Sequence, residues 1–453
     1  MLNNRFSLRT KPRTLKAKPK GRPEMTAMSA PPATAATHLR HGRRSRRLTP
    51  RVPHHVGFWF AAVAFTVLMA FSAAPTPLWP LYAARDGLQP TMVTVAFAML
   101  VIGAATGFLA LGHLSDRLGR RRIVVPALAL TITAALVMAA SPALPNLLAG
   151  RFLNGAGIGL MSSTATAYLH DLYREAHRDR PHAALPSLVS PLATMGGLAI
   201  GPLAAGAIAQ WLPNPLETTQ LAFSAAMMSC LGLVLATPET VDARSRIGEA
   251  YRRFALRPGK GITFAATAGA GFTSFAVLGL ISAIGSLVLR TELHDSSHFV
   301  AGLAPFLMFG AAAGGLLVIH RLDWRTILIA GAAAIPIGLA AVTGSLLHPT
   351  LSVYLVALVI AGAGAGALFK GAITRAAAVA VPTSRAGVLA VFFVISYMGM
   401  GLAPVLFSMV AADLGTTRAM IAFSVALSIT GAAAVLPAVS KVLRRTNRDS
   451  GAE

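Results

Sequence analysis

TMVTVAFAMLVIGAATGFLALGHLSDRLGRRRIVVPALALTITAALVMAAS, residues 91–141, holds two apolar runs joined by one short basic loop. As a helix, each run is long enough to cross the roughly 30 Å of bilayer hydrocarbon, which takes about 20 residues. Working outward, similar runs fall near 56–83, 145–169, 184–211 and 219–237, then near 262–289, 299–319, 326–346, 350–369, 386–411 and 418–440. The chain is 55% hydrophobic and 12% charged, with a mean hydropathy of +0.63. A soluble domain carries about a quarter of its residues as charges, so this composition needs lipid around it. The expected fold is all-α, with twelve transmembrane helices in two related six-helix bundles.

The formal charge of +24 is unevenly placed. Residues 1–55 hold 14 Lys and Arg against the single acid Glu24, without apolar periodicity. They read as a disordered basic tail resting on anionic lipid headgroups. No folded nucleic-acid reader accompanies them, so nucleic acid is not an expected partner. The tail lacks the apolar core of a cleavable signal peptide, so the first span is expected to remain as an anchor. Cys230 is the only cysteine and excludes a disulfide framework or a cysteine metal site.

The one long polar insertion, 238–261, separates an N-terminal bundle (56–237) from a C-terminal bundle (262–440), with a tail at 441–453. With the basic tail inside, the inner side holds 22 further Lys and Arg, and the outer loops hold Arg85, Arg290 and Arg418. The positive-inside rule therefore places both termini in the cytoplasm of a cell carrying the protein in its plasma or inner membrane. A shift of 207 lays Gly155, Gly157 and Gly159 on Gly362, Gly364 and Gly366, His113 on His320, and Asp116 on Asp323. A shift of 202 brings Pro202 onto Pro404 within similar glycine-rich runs. Two parallel repeats flanking a central site is a transporter plan.

Three stretches carry candidate chemistry. In Gly112-His-Leu-Ser-Asp116-Arg117-Leu-Gly119-Arg120-Arg121-Arg122, the glycines permit close packing and a tight turn. Asp116 can accept from a helix amino end or pair with arginines, latching two elements by charge. In span four, Arg151, Asn154, Gly155, Ser162 and Thr166 fall on one broad helical face. A cation at that depth costs a few kcal/mol unless it faces a polar interior; the plainer account has Arg151 snorkelling to the outer interface. The repeat places Leu358 opposite Arg151, so architecture explains the glycines and leaves the arginine for function. Span five carries Gly197, Gly201, Pro202 and Gly206, a spacing that lets helices approach closely and bend. Weaker cavity candidates are Thr263, Thr267 and Ser274 in span seven, and Asp171 beside His170 at the inner end of span four.

The first loop, with the twelve spans, resembles the major facilitator superfamily, whose signature is Gly-x-Leu-x-Asp-Arg-x-Gly-Arg-Arg. The resemblance covers about 56–440. It implies that Gly112, Asp116, Arg117, Gly119, Arg120 and Arg121 gate the swing between outward- and inward-open states. The stretch from Arg151 is similar to the family's fourth-helix proton-transfer motif, with Asn154 where that motif has Gln. The span-five glycines are similar to the Gly-x-x-x-Gly-Pro motif of its efflux antiporters, with Ala205 in place of a later glycine.

No ATP-binding loop, metal pair or nucleophile elbow is present. The expectation is a monomeric, cofactor-free secondary transporter rather than an enzyme, exporting an amphipathic small molecule in exchange for protons. An uptake permease for a neutral sugar or organic acid is the alternative, and a membrane sensor or scaffold using the basic tail a third. No span carries a central Asp or Glu, so proton coupling falls to Arg151 with helix-end groups such as Asp171, Asp86 or Asp116. The cavity is expected to be largely apolar with few charges, which disfavours highly charged solutes.

Overall fold

The computed structural model describes residues 52–87, 89–111, 118–177, 185–240, 254–318, 322–381 and 384–449. Within them lie α1 (His54–Ala73), α2 (Trp79–Asp86), α3 (Pro90–Leu111), α4 (Arg120–Ala140), α5 (Leu144–Ala176), α6 (Leu185–Trp211) and α7 (Pro215–Ala236). The second half contributes α8 (Gly261–Thr291), α9 (His298–Val318), α10 (Trp324–Leu347), α11 (Leu351–Val379), α12 (Arg385–Leu414) and α13 (Thr416–Asp449). In hydrocarbon no water can satisfy a bare peptide group, so each crossing closes its own hydrogen bonds as a helix. A turn of 3₁₀ helix at Thr76–Leu78 joins α1 to α2 in one span, with Pro75, Pro77 and Pro80 at the bend.

Eleven spans among the described residues are long and apolar enough to cross a bilayer. The twelfth is α5, 33 residues long, whose Arg151, Asn154 and charged last turns lower its apolarity. Twelve spans among the described residues, six before the polar insertion and six after it, form the fold, as the sequence predicts. Several helices outrun their apolar stretches. The tenth span, read from the sequence as ending at 369, continues as α11 to Val379. Hydropathy marks where hydrocarbon ends, whereas backbone hydrogen bonding continues into the headgroup region.

The repeated glycines are contact points used identically in both halves. Gly155 lies on the backbone of Leu100 in α3, and Gly362 on that of Met308 in α9. A Cβ on Gly159 would stand 2.5 Å from the Ala104 carbonyl oxygen, and one on Gly366 would stand 2.6 Å from that of Ala312. Gly157 faces α4 and Gly364 faces α10. Small residues permit such backbone approach, which is what binds helices where lipid is as apolar as leucine. Between the halves, α3 lies along α12 and α6 along α9.

The polar insertion is anchored at each end. The Tyr168 hydroxyl donates to the Pro238 carbonyl at 2.6 Å, and Arg121 Nη1 donates to the Thr237 carbonyl at 2.8 Å. Its far end pairs antiparallel with the residues after α11, through Arg257 N–H to Val379 O at 3.0 Å and Val381 N–H to Ala255 O at 3.1 Å.

Candidate functional site: a cavity between the two halves

A cavity of about 970 Å³ lies between the halves. From the first half it is walled by Phe65 of α1, Phe108 of α3, Ser162, Ser163, Thr166 and His170 of α5, and Ser190, Thr194 and Met195 of α6. The second half contributes Phe275 of α8, Phe369, Lys370 and Thr374 of α11, and Phe393 and Tyr397 of α12. The cavity reaches the end of the molecule where Arg120 begins α4, exposed Arg385 begins α12, and Phe254 closes the polar insertion.

The other end is sealed by contacts between the halves. Thr94 and Ser408 hydroxyls hydrogen-bond at 3.0 Å across α3 and α12. Gly206 of α6 meets Gly302 of α9, with room for no Cβ: one on Gly206 would stand 2.7 Å from the His298 carbonyl oxygen. The Gln210 side-chain oxygen accepts from the His298 backbone N–H at 3.0 Å, capping the start of α9 from the opposite half. Just inside the seal, Ser72, Thr76, Thr194, Phe275, Ser282 and Tyr397 enclose about 20 Å³, room for about one water.

The cavity wall is rich in aromatic rings. Phe275 stands 4.9 Å from Phe369 and 5.1 Å from Tyr397 by ring centroids, and Phe108 stacks on Phe393 at 5.4 Å, joining the halves. Its basic residues are Arg120, His170, Lys370 and Arg385, and no carboxylate lines it among the described residues. The sequence anticipates fewer charges here. Lys370 was missed because the apolar run stops at 369, which makes it look like a loop cation.

The predicted site residues separate into three places. Ser162 and Thr166 line the cavity, with Thr166 bonded to Ser190 at 2.6 Å. Arg151 and Asn154 line neither space; both are fully buried within the first half. Arg151 Nη1 donates to the Ser72 carbonyl at 2.8 Å, and its guanidinium lies 5.6 Å from the Trp79 ring and 5.7 Å from Phe97. Aromatic faces and one carbonyl hold the cation where snorkelling would have carried it out. Asn154 has no hydrogen-bond partner for either amide atom among the described residues. Gly155, as above, is packing.

In α6, Gly197 and Gly201 meet α1 at Met69 and Ala70, while Gly206 meets α9 and Pro202 offers its carbonyl to the Gly302 contact. In α8, Thr267 donates to its own helix at Thr263 O, and Ser274 bonds the Ala365 carbonyl of α11 at 2.5 Å. These three residues line neither space.

Of the basic loop, Gly112, Asp116 and Arg117 lie outside the described residues. Gly119 has φ +112°, and a Cβ there would lie 2.6 Å from Glu239 Oε2. Glu239 accepts the Arg120 N–H at 2.8 Å, placing a carboxylate on the amino end of α4. Arg120 Nε reaches Asp171 Oδ2 at 3.2 Å, and Arg174 holds the other oxygen at 2.8 Å. Glu239 is a member of this cluster that the sequence reading missed, because it lies 119 residues away in the insertion. Asp323, the repeat partner of Asp116, caps α10: bonds from Thr326, then from the backbone of Thr326 and Arg325, hold its carboxyl below the ordinary range.

A solute-sized space between two related halves, closed at one end and reaching the other, defines a membrane carrier. A family model for the Major Facilitator Superfamily matches residues 58–404, and the chain belongs to that family of non-enzymatic transporters. It is 26% identical over 315 residues to the multidrug transporter MdfA of Yersinia pestis bv. Antiqua, covering 62% of this chain and 74% of that one. Its fold is that of a bacterial homolog to the human lysosomal transporter Spinster, solved inward-facing and unoccupied, with TM-score 0.66, 15% identity, and 86% and 97% of the two chains covered. The nucleoside transporter NupG gives TM-score 0.64 at 12% identity over 84% and 99%.

Proposed function

We propose that this transporter exports an amphipathic small molecule in exchange for protons, by rocking two six-helix halves about the cavity. The observation that carries the reading is the asymmetry of the cavity. Its closed end is held by contacts between the halves, so a rigid-body swing opens it without unfolding either bundle. The similarity to a multidrug transporter supports export over uptake.

The open end carries Arg120, Arg121 and Arg385 and the start of α1, so the positive-inside rule makes it cytoplasmic and the state inward-facing. The boundaries proposed are a basic tail at 1–55, bundles at 56–237 and 262–440, a cytoplasmic linker at 238–261 and a tail at 441–453. Arg120 with Asp171 and Glu239 forms the described part of the cytoplasmic gate, with Arg121 tied beside it at Thr237. Arg151 acts in coupling from behind the cavity wall, with Asp171 and its neighbour His170 as the titratable groups nearest the mouth. The small-residue ridge of α6 packs on α1 within the first half, and at Gly206 gives α9 the close surface on which the halves turn. The carrier is taken as a monomer in the plasma or inner membrane, with the solute, protons and lipid as partners.

Inverted vesicles from an overexpressing strain test this. Solute should accumulate inside only when the vesicle interior is acidified; accumulation under the opposite gradient would assign uptake instead. A sensor or scaffold would move no solute under either gradient.

A further inference from the structure

Among the described residues the cavity wall contains cations and aromatic rings without acids, and one cation stands apart. Lys370 is half-buried in α11, nine residues before its end at Val379 and so about 14 Å along the helix from the loop. Its ammonium has no hydrogen-bond or ion-pair partner among the described residues, whereas Arg120 is held by Asp171. A bare ammonium at that depth is costly unless water or an anion reaches it. The repeat does not require it: subtracting 207 from 370 gives 163, and Ser163 lines the same cavity from the first half. The preceding residue of α11, Phe369, belongs to the aromatic group with Phe275, Phe393 and Tyr397. Rings supply a flat apolar surface and the ammonium a point charge beside it.

We propose that the carrier's solute is an amphipathic organic anion, its apolar or aryl body against these rings and its carboxylate, sulfonate or phosphate head at Lys370. The inference rests on the carrier reading above and narrows its solute. The wall cation Arg385 lies nearer the mouth and favours entry of an anion. A cationic drug would meet the Lys370 and Arg385 cations and no carboxylate among the described residues of this wall.

Three matched probes decide it on the purified full-length carrier by calorimetry at neutral pH: 2-naphthoate, neutral 2-naphthamide and 2-naphthylmethylammonium. Naphthoate should bind at least about tenfold more tightly than the amide, as one charge-assisted contact allows, and the ammonium most weakly. Lys370→Gln should remove the preference for naphthoate while leaving the amide within about twofold, and Lys370→Arg should keep it. Equal or tighter binding of the ammonium, absence of naphthoate binding, or a preference that survives Lys370→Gln would overturn the proposal. In proteoliposomes, gradient-driven movement of the ammonium probe alone would refute the anion and leave the carrier reading intact. Naphthoate binding without any driven movement would do the reverse.

Discussion

At the scale of single residues, burial and charge separate two kinds of polar group that hydropathy cannot tell apart. Arg151 and Lys370 both interrupt apolar helices, yet one is sealed among Ser72, Trp79 and Phe97 and the other faces the cavity. The separation predicts different phenotypes. Arg151→Ala should lower gradient-driven transport at least about tenfold while solute affinity stays within about twofold, since the residue touches no solute space. Parallel loss of affinity in equilibrium binding would place Arg151 in the binding surface instead. Gly119 carries a second prediction. Its φ of +112° and the nearby Glu239 leave no place for a side chain. Gly119→Ala should cost about 1–3 kcal/mol locally and lower the thermal unfolding midpoint of the purified carrier. An unchanged midpoint would mean that the carboxylate moves aside freely.

Among the helices, the sealed end of the cavity is built from pairs that cross between halves. The α6–α9 contact at Gly206 and Gly302 has no slack, so Gly302→Leu must hold the two helices apart. The expected outcome is loss of the sealed end, read as faster labelling of a cysteine introduced at Ser297 in a Cys230→Ala background. Labelling at the parental rate would show that the seal lies elsewhere. Thr94→Val removes the hydroxyl bond to Ser408 and should shift the conformational balance the same way by up to about tenfold, matching a bond of roughly 0.5–1.5 kcal/mol. The glycine ladder was legible in the sequence because repeated architecture repeats its contacts. Gly155 and Gly362 touch equivalent backbone for the same reason. The end of α11 was not legible, because helix length beyond the hydrocarbon leaves no hydropathy signal.

For the whole molecule, the basic tail and the transport body are separable predictions. Deleting residues 1–50 should leave transport intact, since every cavity and seal residue lies after Phe58; a scaffold role would vanish with the tail. Reporter fusions within 241–253 should be cytoplasmic. The sequence alone determined that the chain lies in lipid, crosses it about twelve times and repeats itself, because chain length per crossing, the positive-inside bias and backbone hydrogen bonding in hydrocarbon act on composition and order. Only the tertiary structure decided which side of each helix meets the solute path. Arg151 shares a helix with Ser162 and Thr166 but points into the bundle, and Lys370 becomes part of the cavity wall. Those placements depend on how helices distant in sequence rotate and pack on one another, a property of the assembled bundle that local spacing does not encode.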